Sequence, residues 1–506
     1  VPKTKSRLKA STRLVKKAKF NKGLVVLVAL VVVAGGYIYF KGSHAATSTI
    51  KPQLTGIIDQ SGSIPSGYAG PNLVDGVDVA IAWSDLQTSQ GADIRNSVGI
   101  QKINAAIGTA KSEGIRIFLN VLAGQDAPTW ADNLAVTSGT PGAYQICDDH
   151  DVKSGSGTSA HCGMMPHFWE SDYQAAYGNV IAQLANVTDP ASGQTYDQSP
   201  YVAEVGIAGC MTIYNEPLVR QYDTTADLTA FQAAGITANG DENCERSQIA
   251  AFQSTWTHTQ AYIAFNPYDE WTGSTFKTDE GFTESLITYC RQTLGQRCVL
   301  GNESVGNKPV STNPSDGTYQ EMYHYIQTQG APIQFRSATP AELNKTSQTL
   351  ATTINWAASI GAGAFEPPAG YNKSSLSLAN GTLVTNSYLS TGDVTHYDGL
   401  LAKNASPTNV CPSGQTGTPP NCTIPPTTPP TSSTPTPTTP TACTTCSKTT
   451  SSTSGSTSTS TAVSIQAGTA STELTPPSGT NLTQVTKVTY AVDGSLVATV
   501  TVYPYS

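Results

Sequence analysis

Residues 203–217 read AEVGIAGCMTIYNEP. Positions 203–214 have the texture of a buried strand, and the chain then runs through Thr212, Ile213 and Tyr214 into Asn215, Glu216 and Pro217. A carboxylate and an amide side by side where an apolar strand leaves the core fit two arrangements. One is a catalytic acid at a barrel rim; the other is an ordinary strand-end turn. The number and order of the elements around the stretch decide between them.

Seven further short apolar runs share that texture: GIID (56–59), GVDVAIAW (76–83), IRIFLNVLA (115–123), AYIAFN (261–266), RCVLGN (297–302), PIQFRS (332–337) and GAGAFE (361–366). The run at 261–266 has flanks that also suit a helix. Between the runs lie segments with apolar residues at helical spacing: 96–114, which stops at Gly114, 170–187 and 347–361. Strands alternating with helices predict a parallel sheet with crossover helices, and eight strands over residues 50–405 predict a (β/α)8 TIM barrel, an α/β fold. The stretch 203–214 is then its fourth strand.

Barrel sites are built from the loops that follow the strands. One such loop, residues 124–168, is unusually long, which points to a functional or stapled segment. Cys147 and Cys162 are placed to staple it, and Trp130, His167, Phe168 and Trp169 either form a platform for a sugar ring or pack the loop onto the barrel. The loop also carries His150, His161 and His167 beside Asp148, Asp149 and Asp151, a spacing that suits a metal ion or, more simply, a solvated loop. Cys290 with Cys298 and Cys411 with Cys422 are further local pairs, leaving Cys210 with Cys244 in the main domain; the pairing is not fixed by sequence. Cys443 and Cys446 form a C-x-x-C without a strand-helix context.

The flanks describe an exported protein. The chain has 506 residues and a net charge of −8 with only 13% charged residues. Nine Lys and Arg residues fall between Lys3 and Lys22, so the body is more acidic than the total and offers no footprint for nucleic acid. Behind this basic tail (1–22) the charge-free run LVVLVALVVVAGGYIYF (24–40) is near the lower length limit of a membrane helix, which would span 23–41. Basic residues ahead of it orient the remaining chain outward. The small residues of SHAAT (43–47) allow a cleaved signal and secretion instead. Residues 406–462 are a Thr/Pro/Ser-rich linker that cannot bury a core. Residues 463–506 regain period-2 alternation around Asp493-Gly494, a hairpin signal. Val485, Tyr490, Val492, Asp493, Gly494, Val497 and Pro504-Tyr505-Ser506 resemble part of a bacterial Ig-like surface domain (a β-sandwich), which implies a surface partner.

With Asn215, Glu216 and Pro217 following the fourth strand, residues 50–400 resemble a clan of (β/α)8 glycoside hydrolases that includes cellulases and β-galactosidases. VDVAIAWSDLQ (77–87) and IRIFLNVLAGQDAPTW (115–130) are similar to its second and third strands. The resemblance implies a polysaccharide or glycoconjugate substrate, hydrolysis of a β-linked glycan, Glu216 as acid/base, Asn215 as a sugar ligand, and no cofactor. It also implies a second carboxylate after the seventh strand, but PIQFRSA has none, and Ala80 or Ala82 stands where the clan carries an Arg. Glu366 and Glu303 both end apolar runs; Glu366 is the preferred nucleophile, since it moves to the seventh strand if 261–266 is not a strand. Asp59, Asp85 and Asp126 are further candidate sugar ligands, and Trp83, Trp130, Trp169 and Trp271 candidate stacking faces. The alternative is a non-catalytic surface protein that binds glycans on the same barrel. The separation of Glu216 from a second carboxylate discriminates the two.

Overall fold

The computed structural model describes residues 50–405 apart from 69–72, 135–141 and 156, together with two short strand pairs further along, Thr416–Thr418 with Asn421–Thr423 and Lys487–Val492 with Ser495–Thr501. The basic tail, the apolar run 24–40, Cys411 and most of the linker and C-terminal segment lie outside the described residues. Among the described residues no helix is long and apolar enough to cross a membrane. The chain divides into two compact units, Val1–Thr427 and Thr428–Ser506. In the second, Lys487–Val492 and Ser495–Thr501 pair antiparallel on either side of residues 493–494.

The first unit is a closed, all-parallel barrel of eight strands: β1 (Gly56–Asp59), β2 (Gly76–Ala82), β3 (Arg116–Leu122), β4 (Val202–Gly206), β5 (Gln260–Ala264), β6 (Cys298–Val305), β7 (Ile333–Ser337) and β8 (Ala364–Glu366). Each pairs with its sequence neighbours, and β1 closes the ring by pairing with both β2 and β8. All eight expected strands are present. The run at 260–264 is the fifth, so Glu366 ends the eighth strand, not the seventh.

The longer helices are α1 (Val98–Glu113), α2 (Ser171–Ala185), α3 (Thr225–Ala234), α4 (Ala238–Gln253), α5 (Glu280–Leu294), α6 (Thr318–Gln329), α7 (Leu350–Ser359) and α8 (Thr391–Ala405). Their ends follow local chemistry. The Ser97 side chain accepts from Ile100 N to start α1, and Gly114, left-handed at φ 71°, stops it. Thr224 and Asp227 form a reciprocal capping box on α3. Apolar faces of these helices and of the strands make the main core.

Leu54, Ile58, Phe118, Ala203, Tyr262, Val299 and Ala364 form a second, smaller cluster. Side chains from six strands meet each other there, which places the cluster inside the barrel. Gly301 makes room in it, since a Cβ at that position would overlap the Tyr262 ring.

The fourth strand is shorter than its apolar run. Pairing ends at Gly206, apart from Ile207 N donating to Tyr262 O at 2.7 Å. Residues 207–213 are buried without a ladder. Their backbone is satisfied from outside: Tyr173 OH donates to Gly209 O at 3.2 Å, Gln248 Oε1 accepts from Cys210 N at 3.0 Å, and Gln125 donates to Thr212 O and Ile213 O. Burial without pairing imitates a strand in sequence, because both read as an apolar run.

Candidate active site

The loop after β4 is fastened before it reaches Asn215. Cys210 is disulfide-bonded to Cys244 on α4. Gln221 Oε1 accepts from the Thr212 hydroxyl, and Arg220 donates to the carbonyl of Pro217. Arg220 is fully buried, pairs with Asp241 and with Glu245 (2.9 Å to Oε1), and lies 4.7 Å from the centre of the Phe168 ring. A buried ion triad is weak evidence for stability, but it is a sound clamp on the turn that presents Asn215 and Glu216.

Glu216 itself is half-buried at the mouth of the barrel. Asn266, just past β5, donates from Nδ2 to Glu216 Oε1 at 3.2 Å. The Asn266 amide is aimed by its other end, where Oδ1 accepts from Asn302 Nδ2 at 2.9 Å and Tyr319 OH at 3.2 Å. Burial raises the Glu216 pKa; the Asn266 hydrogen bond and the positive charges of Arg336 and His150 temper the rise.

Glu303 stands near the end of β6, two strands round the barrel from β4. Asn215 Nδ2 donates to its Oε1 at 3.0 Å, and Arg336 Nη1 to its Oε2 at 2.8 Å. Arg336 comes from β7, where an acid was expected, and supplies a guanidinium although the second strand has none. It also pairs with Glu366 through Nε (2.9 Å) and Nη2 (2.7 Å), and with Asp78 on β2. Asn120 holds the other Asp78 oxygen at 2.8 Å, and Gln334 the other Glu366 oxygen at 2.9 Å.

Three carboxylates therefore share one guanidinium in a buried space. Burial works against the charge of Arg336, but Glu303, Glu366 and Asp78 outweigh it and hold its pKa above the ordinary value. Burial raises Glu303, Asp78 and Glu366, the last to about 7, and Arg336 opposes each rise. Deeper still, Glu204 on β4 is buried with no hydrogen bond to Oε1, and burial raises its pKa well above the usual range.

The expected site residues divide. Asn215, Glu216 and Glu303 meet at the mouth, while Glu366 lies completely buried behind Arg336. Trp83 is sealed in the core against Trp130, Tyr173 and Tyr177 and donates to Gln87, so it has no open face for a sugar. Trp169 is likewise buried, stacked on His167, and Trp271 packs against Phe276 and Phe231. The expected stacking platform is, at these positions, packing. Trp130 is half-buried and donates to Gln87 O at 3.1 Å. Asp59 is buried and accepts from Ser61; Asp85 pairs with Lys102 at 2.7 Å. Asp126 is partly buried, which raises its pKa against the influence of His161.

In the long loop, Cys147–Cys162 bridges an antiparallel pair, Tyr144–Asp148 with His161–Met165; Cys290–Cys298 ties α5 to β6. All three expected disulfides among the described residues are formed. Asp148, Asp149 and Asp223 have oxygens within 4.8 Å of one another. Lys153 sits against this group, paired with Asp149 and with Asp223 at 3.0 Å, and supplies its positive charge.

Arg336, Asp78, Asn266 and Asn302 were not singled out from sequence. The readable signal for Arg336 was its period-2 relation to Gln334, two polar residues on one face of an otherwise apolar strand.

No family model matches the chain, and no curated protein matches it. Among solved structures it is similar to the endo-β-1,4-mannanase of Thermotoga petrophila (9% identity, TM-score 0.37, covering 70% of this chain and 78% of that one). It is also similar to the endo-1,4-β-mannanase of Rhizomucor miehei (11%, TM-score 0.36, 65% and 87%). A third similarity is to the catalytic domain of the major endoglucanase from Xanthomonas campestris pv. campestris (13%, TM-score 0.34, 70% and 95%).

Proposed function

We propose that the protein is a retaining glycoside hydrolase acting on β-linked glycans, with Glu216 as acid/base and Glu303 as nucleophile. The observation that carries this reading is the Asn215 bridge. The residue next to Glu216 donates to Glu303 at 3.0 Å, so two carboxyl groups from different strand ends face one opening. Their surroundings suit different tasks. Glu216 is half-buried with a raised pKa, fitted to hold a proton for the departing oxygen. Glu303 receives two donors, Arg336 and Asn215, which orient it; burial and the neighbouring Glu366, Glu216 and Asp78 raise its pKa, while the Arg336 charge favours its ionised form.

Glu303 would attack the anomeric carbon as Glu216 protonates the leaving oxygen. A water deprotonated by Glu216 then releases the sugar from Glu303. Retention calls for carboxyl groups about 5–5.5 Å apart. Glu366, the nucleophile preferred from sequence, is better suited to holding Arg336, because it is sealed beneath that side chain.

Export belongs to the same proposal. Three disulfides suit an oxidising compartment, and the sequence ahead of the barrel suits a membrane anchor or a cleaved signal. The linker would then act as a stalk and the Ig-like segment as a contact with a surface partner.

The test is hydrolysis of a panel of aryl β-glycosides by the full chain and by Glu216→Gln. Loss of about 10²–10⁴-fold in the variant, with circular dichroism unchanged, is expected. Equal rates would remove Glu216 from the mechanism. Sugar binding without turnover in either protein would favour the glycan-binding alternative.

A further inference from the structure

We infer that the site takes the ends of glycan chains rather than their interiors, because the Tyr144–Met165 hairpin crosses the mouth of the barrel above Glu216. This rests on the glycosidase reading.

In the closed order of strands, β3 stands opposite β7 and β4 opposite β8. The hairpin belongs to the segment leaving β3, yet its contacts reach both sides. On the β4 side, Cys147 N donates to Asp227 Oδ1 at 2.9 Å, Asp149 N donates to Asp223, and Lys153 Nζ lies 3.0 Å from Asp223. On the far side, His150 Nε2 is 3.4 Å from Oε1 of Glu342, in the short helix Pro340–Lys345 after β7. Gly155, at the end of the tip helix His150–Ser154, packs so closely on Asn380 beyond β8 that a Cβ would overlap it.

Between these supports the hairpin passes over the catalytic loop. The His161 ring lies edge-on to Tyr214 with centroids 6.0 Å apart, next to Asn215.

A strap whose tip joins the loops after β4 to those after β7 and β8 interrupts any groove running across the mouth. A polysaccharide threading an open cleft needs free passage on both sides of the scissile bond. With the passage bridged, a chain end enters from one side. The hairpin does not rely on one weak contact, since a disulfide staples its strands and a helix stiffens its tip.

The experiment uses the full chain. The aryl β-glycoside panel first identifies the accepted sugar. The matching linear oligosaccharide, labelled at its reducing end, is then digested and sampled over time. Stepwise shortening, with little change in polysaccharide viscosity at equal bond cleavage, is expected. Early mid-length labelled fragments with a rapid viscosity fall would overturn the inference while leaving the glycosidase reading intact. No turnover of any aryl glycoside would overturn that reading, and the chain-end inference with it. The double variant His150→Ala, Lys153→Ala frees the tip on both sides, and the share of mid-chain cuts should rise several-fold. An unchanged share would overturn the hairpin's role.

Discussion

Glu366 is the residue at which sequence and structure part. As an acid ending an apolar run it was as visible as Glu303; it ends β8, and Glu303 lies near the end of β6. Depth separates them: Glu366 is completely buried and spends its oxygens on Arg336 and Gln334, whereas Glu303 also meets Asn215 at the mouth. Sequence marks which residues end strands, but not how far each stands above the last interior layer. Arg336 was hidden for a related reason, since its role depends on four strands converging around it. Two predictions follow from these contacts. Glu303→Gln should abolish turnover about as fully as Glu216→Gln, while Glu366→Gln, which retains an amide for Arg336 to face, should keep more; initial rates on one aryl glycoside check the order, and equal losses would contradict it. The second concerns pH. The pKa of Glu366 is raised to about 7 from an ordinary 4.5, so the folded state holds this proton more tightly than the unfolded chain. Its contribution is fully present below about pH 4.5 and is lost as pH rises towards about 7, by on the order of 3 kcal/mol. Glu366→Gln should flatten that part of the stability profile in urea titrations between pH 4.5 and 8. Parallel profiles would contradict the assignment.

The loop after β4 is the element on which the site depends. Sequence placed it correctly at the end of the fourth strand and misjudged where the strand stops, because a buried loop and a buried strand share an apolar pattern. The eight strands and three of the helices, α1, α2 and α7, were legible. Parallel strands covered on both faces give continuous apolar runs, and Ser97, Thr224 and Gly114 punctuate helices in the ordinary way. What holds the loop was not legible, since Arg220, Asp241, Glu245 and Gln248 are brought together only by the fold. Removing the guanidinium with Arg220→Met leaves two buried carboxylates without their cation. A loss of about 3–5 kcal/mol is expected in chemical denaturation, together with a fall in turnover while the protein is still folded. Cys210→Ser with Cys244→Ser should cost about 2–5 kcal/mol, read as a lower denaturation midpoint. Full activity in both variants would show that the loop needs neither fastening.

Across the whole molecule, the polar interior is the unusual property of this barrel. Asp78, Glu204, Glu303 and Glu366 lie within its walls with Arg336 among them, and burial raises the pKa of each of these acids. That arrangement costs stability and is expected where a fold keeps a charged site above its core. The three disulfides offset part of this cost and suit the exported location proposed for the chain. The account stands or falls on the pairing of Glu216 with Glu303. The most direct measurement is covalent trapping: the full chain is incubated with an activated 2-fluoro glycoside of the accepted sugar, then weighed intact and mapped by peptide mass spectrometry. The account predicts a single added glycosyl group on Glu303. A label on Glu366, or turnover that inverts the anomeric centre and leaves no label, would contradict it.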